Sequence, residues 1–377
     1  MSATPLKNSS IPVFDLTAQY HFIKDEIDTT LARVLESSAF INGPDNERFE
    51  FFFGKFCKVK HCIGVSSGSA ALELALEALG IGPGDEVICP AHTFAASAES
   101  IVHRGAKPVF IDIDENTYNL DPNLIKPLIT PKTKTILAVH LYGQMADMAP
   151  ILKIAKKHKL QVIEDAAQAH GAMYQNQPAG SMGDIGIFSF FPAKNLGCYG
   201  DGGAVVTNNK YLAERVRLLK DHGRVSKYEH QIIGYGERLD NLQAAVLLVK
   251  LKHLKKWNTR RRQIAKQYDR ALSSALITPF IHLDCQSVYY VYTLRHPKRH
   301  LIQKVLSDNG VKTGIYYPKP LHLQPSFSYL GYKKGDLPIT EKIAREIFSI
   351  PIYPELSNEQ VDFISGLIKD IVPSPNL

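Results

Sequence analysis

HCIGVSSGSAALELALEAL, residues 61–79, is the stretch of sequence that decides the fold. Its first part, His61–Val65, is short and apolar and predicts a buried strand. Ala70–Leu79 consists of strong helix formers and predicts a helix that follows the strand after a short loop. A strand that leads into a helix in this way is the repeating unit of an α/β layer.

The same alternation of strand and helix continues from Lys60 to Asn208. The predicted strands are His61–Val65, Glu86–Cys89, Pro108–Asp112, Thr135–His140, Leu160–Asp165, Ile185–Phe190 and Gly203–Thr207. Helices are predicted between several of them, for example at Ala149–His158. Because strands that alternate with helices form a largely parallel sheet, we predict an α/β fold.

The rest of the chain predicts a second, smaller domain. Asn241–Tyr268 is rich in helix formers and is predicted to form the long connection into it. The part that follows combines a strand-like segment with helices, at Ser287–Arg295, Glu341–Phe348 and Asn358–Ile368. We therefore expect a large domain with an N-terminal arm at residues 1–250 and a small α+β domain at residues 251–377.

Composition limits the classes of protein that fit the sequence. The chain has 377 residues, of which 45% are hydrophobic and 21% charged, as in globular proteins. Its 5 cysteines are scattered without a Cys-x-x-Cys pair, which argues against a disulfide framework and a zinc cluster. No apolar run approaches membrane-spanning length, and residues 1–15 lack the apolar core of a signal peptide. We therefore expect a cytoplasmic protein without a metal or membrane contact.

The net charge of +7 suits an anionic substrate better than nucleic acid. Much of the excess lies in residues 250–270. Leucines recur there at helical spacing, at Leu247, Leu248, Leu251 and Leu254. We interpret the basic residues as the solvated face of a long helix. A nucleic-acid patch would instead predict steeply salt-dependent affinity for duplex DNA, and we expect none.

Lys194 lies in SFFPAKNLG, residues 189–197, directly after a predicted strand. A lysine at the end of a buried strand is costly unless it is paired or covalently engaged. Ser189, five residues earlier, could hold a phosphate while the lysine forms an imine. Taken alone, the motif fits an exposed loop lysine equally well, since most lysines are exposed.

Asp165 lies in VIEDAAQAH, residues 162–170, at the carboxyl end of a predicted parallel strand. Ligand-binding groups of open α/β sheets lie at such strand ends. An aspartate there can pair with a protonated pyridine nitrogen. A helix N-cap is the competing interpretation and is favoured if the motif is considered alone. We interpret His170 as a turn or core residue rather than a catalytic base.

Gly68 and Ser69 lie in GVSSGSAAL, residues 64–72, where a strand leads into a helix. Small residues and hydroxyls at a helix N-terminus form an anion site, because free N–H groups and the helix dipole face the ligand. The motif is neither a Walker loop nor a complete Gly-x-Gly-x-x-Gly, so an ordinary nucleotide fold is not indicated. Simple capping by Ser67 or Ser69 is the alternative.

These motifs gain weight because they occur together in one α/β domain. The domain offers a phosphate cup, an aromatic loop at His92-Thr93-Phe94, the strand-end Asp165 and the pair Ser189 and Lys194. A phosphorylated aromatic cofactor needs phosphate anchoring, ring stacking, a pyridinium partner and an imine lysine. The set therefore predicts pyridoxal 5′-phosphate and an enzyme that moves an amino group.

The sequence as a whole resembles the DegT/DnrJ/EryC1/StrS family of pyridoxal-phosphate-dependent nucleotide-sugar aminotransferases. That family has the aspartate-aminotransferase-like (type I) fold. The resemblance runs nearly end to end, from IPVFDL at residues 11–16 to SIP at residues 349–351. Its most specific segments are EDAAQAHG (164–171), SFFPAKNLG (189–197), DGG (201–203), RLDNLQAA (238–245) and YPKPLH (317–322).

The resemblance implies a role for each matching residue. Lys194 would be the imine lysine and the general acid and base. Asp165 would pair with the pyridine nitrogen, Gln168 would lie near the phenolic oxygen, and Phe94 would stack on the ring. The residues implied for the phosphate are Gly68, Ser69 and Ser189.

The resemblance also implies the substrate residues and the assembly. Tyr317, His322 and Arg238 fall in substrate-facing segments, and the family forms homodimers with active sites at the interface, so Arg238 would reach into the partner subunit's site.

Two departures from the family pattern stand out. Relatives usually have Asn where this chain has Gly236, and that Asn helps to hold the phosphate across the interface. Ser69 replaces the more usual Thr, which keeps the hydroxyl.

The implied reaction moves an amino group from an amino acid, glutamate in relatives, to a nucleotide-linked keto-hexose, with pyridoxamine phosphate between the two stages. The segment 317–322 resembles the branch that acts on 3-keto sugars more than the 4-keto branch. Two features stay open: the nucleotide, which is UDP or dTDP, and the product, which would serve a surface polysaccharide, lipopolysaccharide or another glycoconjugate.

Relatives that became dehydratases replace the lysine with histidine, so Lys194 argues against that activity. A non-catalytic cofactor-sensing or structural protein is the remaining alternative, and Gly236 is its hint.

Overall fold

The structure is a computed structural model and describes residues 10–372, so that the first part of the expected N-terminal arm lies outside the described residues. Its strands are β1 (His61–Val65), β2 (Glu86–Pro90), β3 (Lys107–Ile111), β4 (Thr133–Val139), β5 (Gln161–Asp165), β6 (Met173–Tyr174), β7 (Gln177–Pro178), β8 (Ile185–Ser189), β9 (Gly203–Thr207), β10 (Cys285–Gln286), β11 (Tyr292–Arg295) and β12 (Ile347–Ile350). Its α-helices are α1 (Leu16–Phe22), α2 (Lys24–Ser37), α3 (Pro44–Phe56), α4 (Gly68–Ala78), α5 (Ala96–His103), α6 (Met148–His158), α7 (Lys210–Lys220), α8 (Asn241–Leu272), α9 (Arg299–Asp308), α10 (Pro338–Glu346) and α11 (Asn358–Ile371).

A central sheet has the strand order β1-β9-β8-β5-β4-β2-β3. Strand β9 pairs antiparallel with β1 and β8, and the other neighbouring strands pair in parallel. All the strands predicted between residues 60 and 208 are present in this sheet, with small shifts at their ends. The predicted α/β fold with a mostly parallel sheet is confirmed.

Helices cover both faces of the central sheet because its strands alternate their side chains between two cores. Leu137 packs into one core together with residues of α4, α5 and α7. Its neighbour Ile136 packs into the other core with residues of α3, α6 and α8. Successive residues of a strand point to opposite faces, and a sheet covered on both faces needs apolar residues at both kinds of position. This explains the continuous apolar runs of the sequence.

The long helix α8 joins these cores to a separate cluster in the C-terminal part. Leu254 packs beneath the sheet, whereas Ile264, Tyr268 and Leu272 pack with residues of β11, β12, α9 and α11. Because α8 runs through residue 250 without a break, the domain boundary expected there stays a prediction. Within residues 10–372, no helix, α8 included, combines the length and the apolar character needed to cross a membrane.

Two elements of the C-terminal part differ from their predictions. The helix predicted at residues 341–348 is α10, which ends at Glu346, and Ile347–Ile350 forms β12. Strand β12 pairs antiparallel with β11, so only the last part of the predicted strand at residues 287–295 forms a ladder. Short apolar runs fit helix and strand equally well, and here the pairing partner, distant in sequence, decides between them.

The interpretation of residues 250–270 as a solvated face is wrong at two positions. Lys250 is 1% exposed and Arg261 is 4% exposed. The Nζ atom of Lys250 donates to the carbonyl oxygen of Gly197 over 2.7 Å, and Nη1 of Arg261 donates to the carbonyl oxygens of Tyr289 and Ile352. Backbone carbonyls thus accept hydrogen bonds from both charged groups in the interior, an arrangement that the helical pattern does not reveal.

Candidate active site

A cavity of about 390 Å³ lies where β4, β5 and β8 end, at the edge of the sheet at which open α/β folds bind ligands. The N-terminal ends of α4 and α5 form its other walls. The sequence-predicted residues that line it are Gly68, Ser69, Phe94, Asp165, Gln168, Ser189, Lys194 and Tyr317. The fold therefore brings together every cofactor-binding residue predicted from the sequence.

Lys194 follows β8 and lines the cavity. Its Nζ atom lies 4.4 Å from the centre of the Tyr290 ring. Desolvation by the surrounding protein lowers the pKa of Lys194 from 10.5 to about 8, and the charge of Asp165 opposes this shift. A lysine with this pKa has a much larger neutral fraction at neutral pH than an exposed lysine, and a neutral amine is the form that reacts with a carbonyl.

Asp165 ends β5 and is 5% exposed. Its Oδ2 accepts a hydrogen bond from Ser97 Oγ over 2.9 Å, and its Oδ1 accepts one from the backbone N–H of Ala167 over 3.1 Å. Burial raises the pKa of Asp165, while both hydrogen bonds and Lys194 lower it. The chain after Asp165 forms turns up to Gly171, so the alternative interpretation as a helix N-cap is wrong.

Gln168 is fixed between the backbone and a phenol. Its Oε1 accepts from the backbone N–H of Tyr142 over 2.7 Å, and its Nε2 donates to Tyr317 Oη over 3.3 Å. Tyr142 Oη is hydrogen bonded to His92 Nε2 and to the carbonyl oxygen of Tyr316. Burial raises the pKa of Tyr317, so this phenol is neutral at physiological pH. The cavity lining is thus polar but uncharged at Gln168 and Tyr317.

The N-terminus of α4 forms a cup against β8. Ser67 is the N-cap, since its Oγ accepts from the backbone N–H of Ala70 over 3.0 Å. Capping therefore uses Ser67 and leaves the exposed Ser69 hydroxyl to the cavity. A Cβ atom on Gly68 would lie 2.6 Å from Cβ of Ser189, so glycine is required for this close approach. The first N–H groups of a helix have no intrahelical acceptor and attract anions.

The chemistry of these groups fits a phosphorylated pyridine cofactor. The cup at Gly68 and Ser69 suits a phosphate, and the buried carboxylate of Asp165 suits a cationic ring nitrogen. Phe94 is 56% exposed and lies at the cavity, where its ring can cover an aromatic ligand. Lys194 supplies the amine. No side chain at these positions opposes such a ligand by charge or by size.

Two of the predicted substrate residues lie outside the cavity lining. His322 is 1% exposed, and its Nε2 lies 3.2 Å from Glu341 Oε1. Nη1 of Arg238 donates to Asp221 Oδ1 over 2.8 Å. Gly236 is exposed, and the next residue, Glu237, accepts a hydrogen bond from Ser66 in the loop before the cup. The substrate contacts expected of His322 and Arg238 stay predictions.

Several residues of the site carried no usable signal in the sequence. Ser97 lies on α5 among other small residues, 68 positions before Asp165, and only the fold brings the two together. Tyr290 and Tyr316 line the cavity but lie in segments rich in tyrosine, where no single ring stands out. Asp201 and Phe191 also line it, and they lie within the segments DGG (201–203) and SFFPAKNLG (189–197), where no role of these two side chains was predicted.

Helix α8 contacts the loop that carries Lys194 and the turns that follow Asp165. Asn195 Nδ2 donates to Asn258 Oδ1 over 3.0 Å and to the carbonyl oxygen of Val288 over 2.9 Å. Asn258 Nδ2 in turn donates to the carbonyl oxygen of His170 over 2.8 Å. Buried side chains that are held by several hydrogen bonds restrict the positions of the segments they join. These hydrogen bonds to α8 therefore restrict where the lysine and the aspartate lie relative to each other.

His170 is buried against aromatic rings. Its ring centre lies 5.3 Å from that of Phe188 and 5.7 Å from that of Phe190. Burial lowers the pKa of His170 to about 3. A histidine that stays neutral at physiological pH and packs among phenylalanines matches the interpretation as a core residue.

Comparison with known proteins also identifies an aminotransferase family. The model of the DegT/DnrJ/EryC1/StrS aminotransferase family matches residues 21–369. The chain is 48% identical over 359 residues to the pleiotropic regulatory protein of Geobacillus stearothermophilus, covering 94% of this chain and 96% of the relative. It is 44% identical over 352 residues to the dTDP-3-amino-3,4,6-trideoxy-alpha-D-glucose transaminase of Streptomyces venezuelae, covering 93% of each chain. Other relatives, 41% to 44% identical, are named for UDP-linked or dTDP-linked sugars with a 3-oxo, 3-dehydro or 3-amino group.

Solved structures agree with the family match. The crystal structure of S. venezuelae DesV in complex with a ketimine intermediate superposes with a TM-score of 0.95 at 41% sequence identity. The superposition covers 98% of this chain and 100% of that one. The aminotransferase fold is therefore shared over essentially the whole described chain.

Proposed function

Since the chain belongs to the DegT/DnrJ/EryC1/StrS aminotransferase family, we propose that it transfers an amino group from an amino acid to a nucleotide-linked keto-hexose at the cavity between Lys194 and Asp165. Pyridoxal phosphate, when bound, accepts the amino group from one substrate, delivers it to the other and withdraws electrons from the reacting carbon. The observation that carries the proposal is that one cavity joins a lysine of lowered pKa to a buried aspartate.

The residues around the cavity would hold this cofactor in one orientation. Gly68, Ser69 and Ser189 would bind the phosphate at the N-terminus of α4. Asp165 would bind the pyridine nitrogen as a carboxylate, because a cation next to it offsets the burial that raises its pKa. Gln168 would lie at the phenolic oxygen, and Phe94 would cover the ring.

Lys194 would hold the cofactor covalently between turnovers and act as the acid and base during them. With a pKa of about 8, its amine both accepts and returns a proton near physiological pH. The groups nearest to it do not compete for that proton, since burial raises the pKa of Tyr290 and of Tyr317 and lowers that of His170. Lys194 is therefore the group that we propose for proton transfer.

For the acceptor we propose a hexose with a 3-keto group, linked to UDP or dTDP, and for the donor L-glutamate. The names of the relatives support position 3, and the net charge of +7 suits a diphosphate-bearing substrate. The product would enter amino-sugar biosynthesis for a surface polysaccharide, lipopolysaccharide or another glycoconjugate. A 4-keto acceptor is the alternative.

We further propose that the protein acts as a cytoplasmic homodimer, with Arg238 serving the partner's site. The segment that carries Arg238 exposes large apolar side chains, among them Ile233 at 94% and Tyr228 at 82%. Phe191, at the mouth of the cavity, is 52% exposed. Apolar side chains that are concentrated in this way are typical of surfaces covered by a partner.

Product analysis with paired acceptors tests the reaction. The purified protein with pyridoxal phosphate and nitrogen-15-labelled glutamate receives 3-keto and 4-keto sugars on both nucleotides, and mass spectrometry follows the label. We expect a labelled 3-amino sugar, and none from Lys194→Ala. Amination of 4-keto sugars alone would refute the proposal that the acceptor carries its keto group at C3.

A non-catalytic regulatory protein is the second candidate. The name of the G. stearothermophilus relative and the glycine at position 236 favour it. It predicts that the cofactor binds but that no donor or acceptor changes it, so the same assay separates the two candidates.

A further inference from the structure

Tyr290 lies against the amine of Lys194 and has no part in the cofactor contacts proposed above. The distance from Lys194 Nζ to the centre of the Tyr290 ring is 4.4 Å. Tyr290 is 6% exposed, so little water screens this contact. An ammonium group within about 6 Å of an aromatic face is attracted by the negative charge of that face, and more strongly when water is excluded.

Both the backbone and the ring of Tyr290 have contacts that restrict its position. Its backbone N–H donates to the carbonyl oxygen of Tyr142 over 3.0 Å. Phe14 stacks on the ring, with centres 5.5 Å apart and planes inclined by 20°. Phe14 belongs to the segment IPVFDL, which is one end of the family resemblance and has no role in the proposed cofactor site. The stack therefore places this segment against the ring that faces the lysine.

Few of the other groups near Lys194 can stabilise its positive charge, so the ring of Tyr290 is a principal source of that stabilisation. The titratable side chains that face it or line the same cavity are Asp165, His170, Asp201, Tyr290, Tyr316 and Tyr317. Asp165 is the anion that raises the pKa of Lys194, and it would be engaged by a cationic ring nitrogen when the cofactor is bound. Burial keeps His170 neutral, and the tyrosines have raised pKa values.

We propose that Tyr290 is a further catalytic residue, whose ring face holds the ammonium of Lys194 whenever the lysine is not covalently attached to the cofactor. The amine then keeps its proton at a fixed position until that proton is returned to substrate. The catalytic meaning of this contact rests on the proposed aminotransferase function, whereas the contact itself does not.

The pKa of Lys194 in variants of Tyr290 tests the proposal without any substrate. The full-length protein is labelled with an amine-reactive reagent at a series of pH values, first free of cofactor and then with pyridoxamine phosphate bound, and mass spectrometry follows the peptide that contains Lys194. Removing the ring destabilises the ammonium, so Tyr290→Leu is expected to lower the pKa of Lys194 by about one unit. Tyr290→Phe keeps the ring and is expected to leave the pKa close to its original value.

A fluorinated phenylalanine at position 290 keeps the shape of the ring and removes the negative charge of its face. It is expected to lower the pKa of Lys194 as Tyr290→Leu does, and it decides the matter if the leucine variant fails to fold. An unchanged pKa with the fluorinated ring, or an equal fall in Tyr290→Phe, would overturn the proposal. Because the labelling of the cofactor-free protein uses neither donor nor acceptor, its result is independent of whether the protein is an aminotransferase.

Discussion

Ser97 Oγ donates a hydrogen bond to Asp165 Oδ2 over 2.9 Å, and both side chains are buried at the carboxyl end of β5. This bond lowers the pKa of Asp165 against the effect of burial. It therefore favours the carboxylate, which is the form that binds a cationic ring nitrogen. Thr93 Oγ1 lies 3.0 Å from Ser97 Oγ and extends the network along the cavity wall.

Ser97→Ala is expected to weaken cofactor binding. Hydrogen bonds to charged groups contribute about 1.5–3 kcal/mol, so the dissociation constant of pyridoxal phosphate should rise about tenfold or more. Equilibrium titration of the cofactor-free protein measures this constant. Ser100→Ala is the matched control, because Ser100 lies on the same helix and its hydroxyl donates to the carbonyl oxygen of Ser97 rather than to Asp165. Equal losses in both variants would contradict the role of the Ser97 hydroxyl.

Asp165→Asn is expected to separate activity from stability. The amide keeps the size of the carboxylate but cannot support a cationic ring nitrogen, so kcat should fall by about 10²-fold or more. Burial raises the pKa of Asp165, which means that its charge costs folding free energy at neutral pH. The cofactor-free variant should therefore unfold at a temperature no lower than the original protein. Full activity in Asp165→Asn would contradict the assignment.

Asn258 and Asn195 are expected to be energetically coupled. Each makes a further hydrogen bond to a backbone carbonyl, so removing either leaves buried polar groups without partners. Asn258→Ala and Asn195→Ala should each lower the free energy of unfolding by about 1–3 kcal/mol. The double variant should lose less than the sum of the two, as denaturant titration would measure. Strict additivity would show that the two side chains act independently.

Lys250 gives a prediction about pH. Burial lowers its pKa from 10.5 to about 8, so below pH 8 both the folded and the unfolded chain carry the proton and the buried charge is at its most costly. Between these two values only the unfolded chain binds the proton, so the stability that depends on Lys250 rises with pH. Relative to Lys250→Met, the original protein should gain up to about 3 kcal/mol over this range.

Denaturant titrations at neutral pH and at high pH check this gain. Lys255→Met is the control for the loss of a lysine from this helix, because Lys255 is exposed. A difference between Lys250→Met and the original protein that stays constant with pH would contradict the buried charge.

The central sheet was predictable from the sequence because its signals are local. The strands contain short apolar runs bounded by polar or small residues, such as Ile136–Val139 within β4, and the helices between them have their own period. The C-terminal strands were not, because β12 contains only four residues and depends on pairing with β11, more than 50 positions earlier. Local patterns do not contain that information.

The candidate site was predictable where several motifs point to one ligand. Lys194, Asp165 and the cup at Gly68 converge as expected, since the carboxyl ends of neighbouring parallel strands share one edge. The contacts behind them were missed for a physical reason. Ser97, Lys250 and Asn258 act through hydrogen bonds to atoms far along the chain, and such bonds impose no spacing on the sequence.

The absorption spectrum of the purified protein with pyridoxal phosphate, recorded before and after adding glutamate, tests the central claim most directly. We predict a visible band from the cofactor bound to Lys194 that gives way to a near-ultraviolet band on adding glutamate and returns with a keto-sugar acceptor. Lys194→Ala should lack the visible band. A visible band that glutamate and other amino acids leave unchanged, or one that persists in Lys194→Ala, would contradict the account.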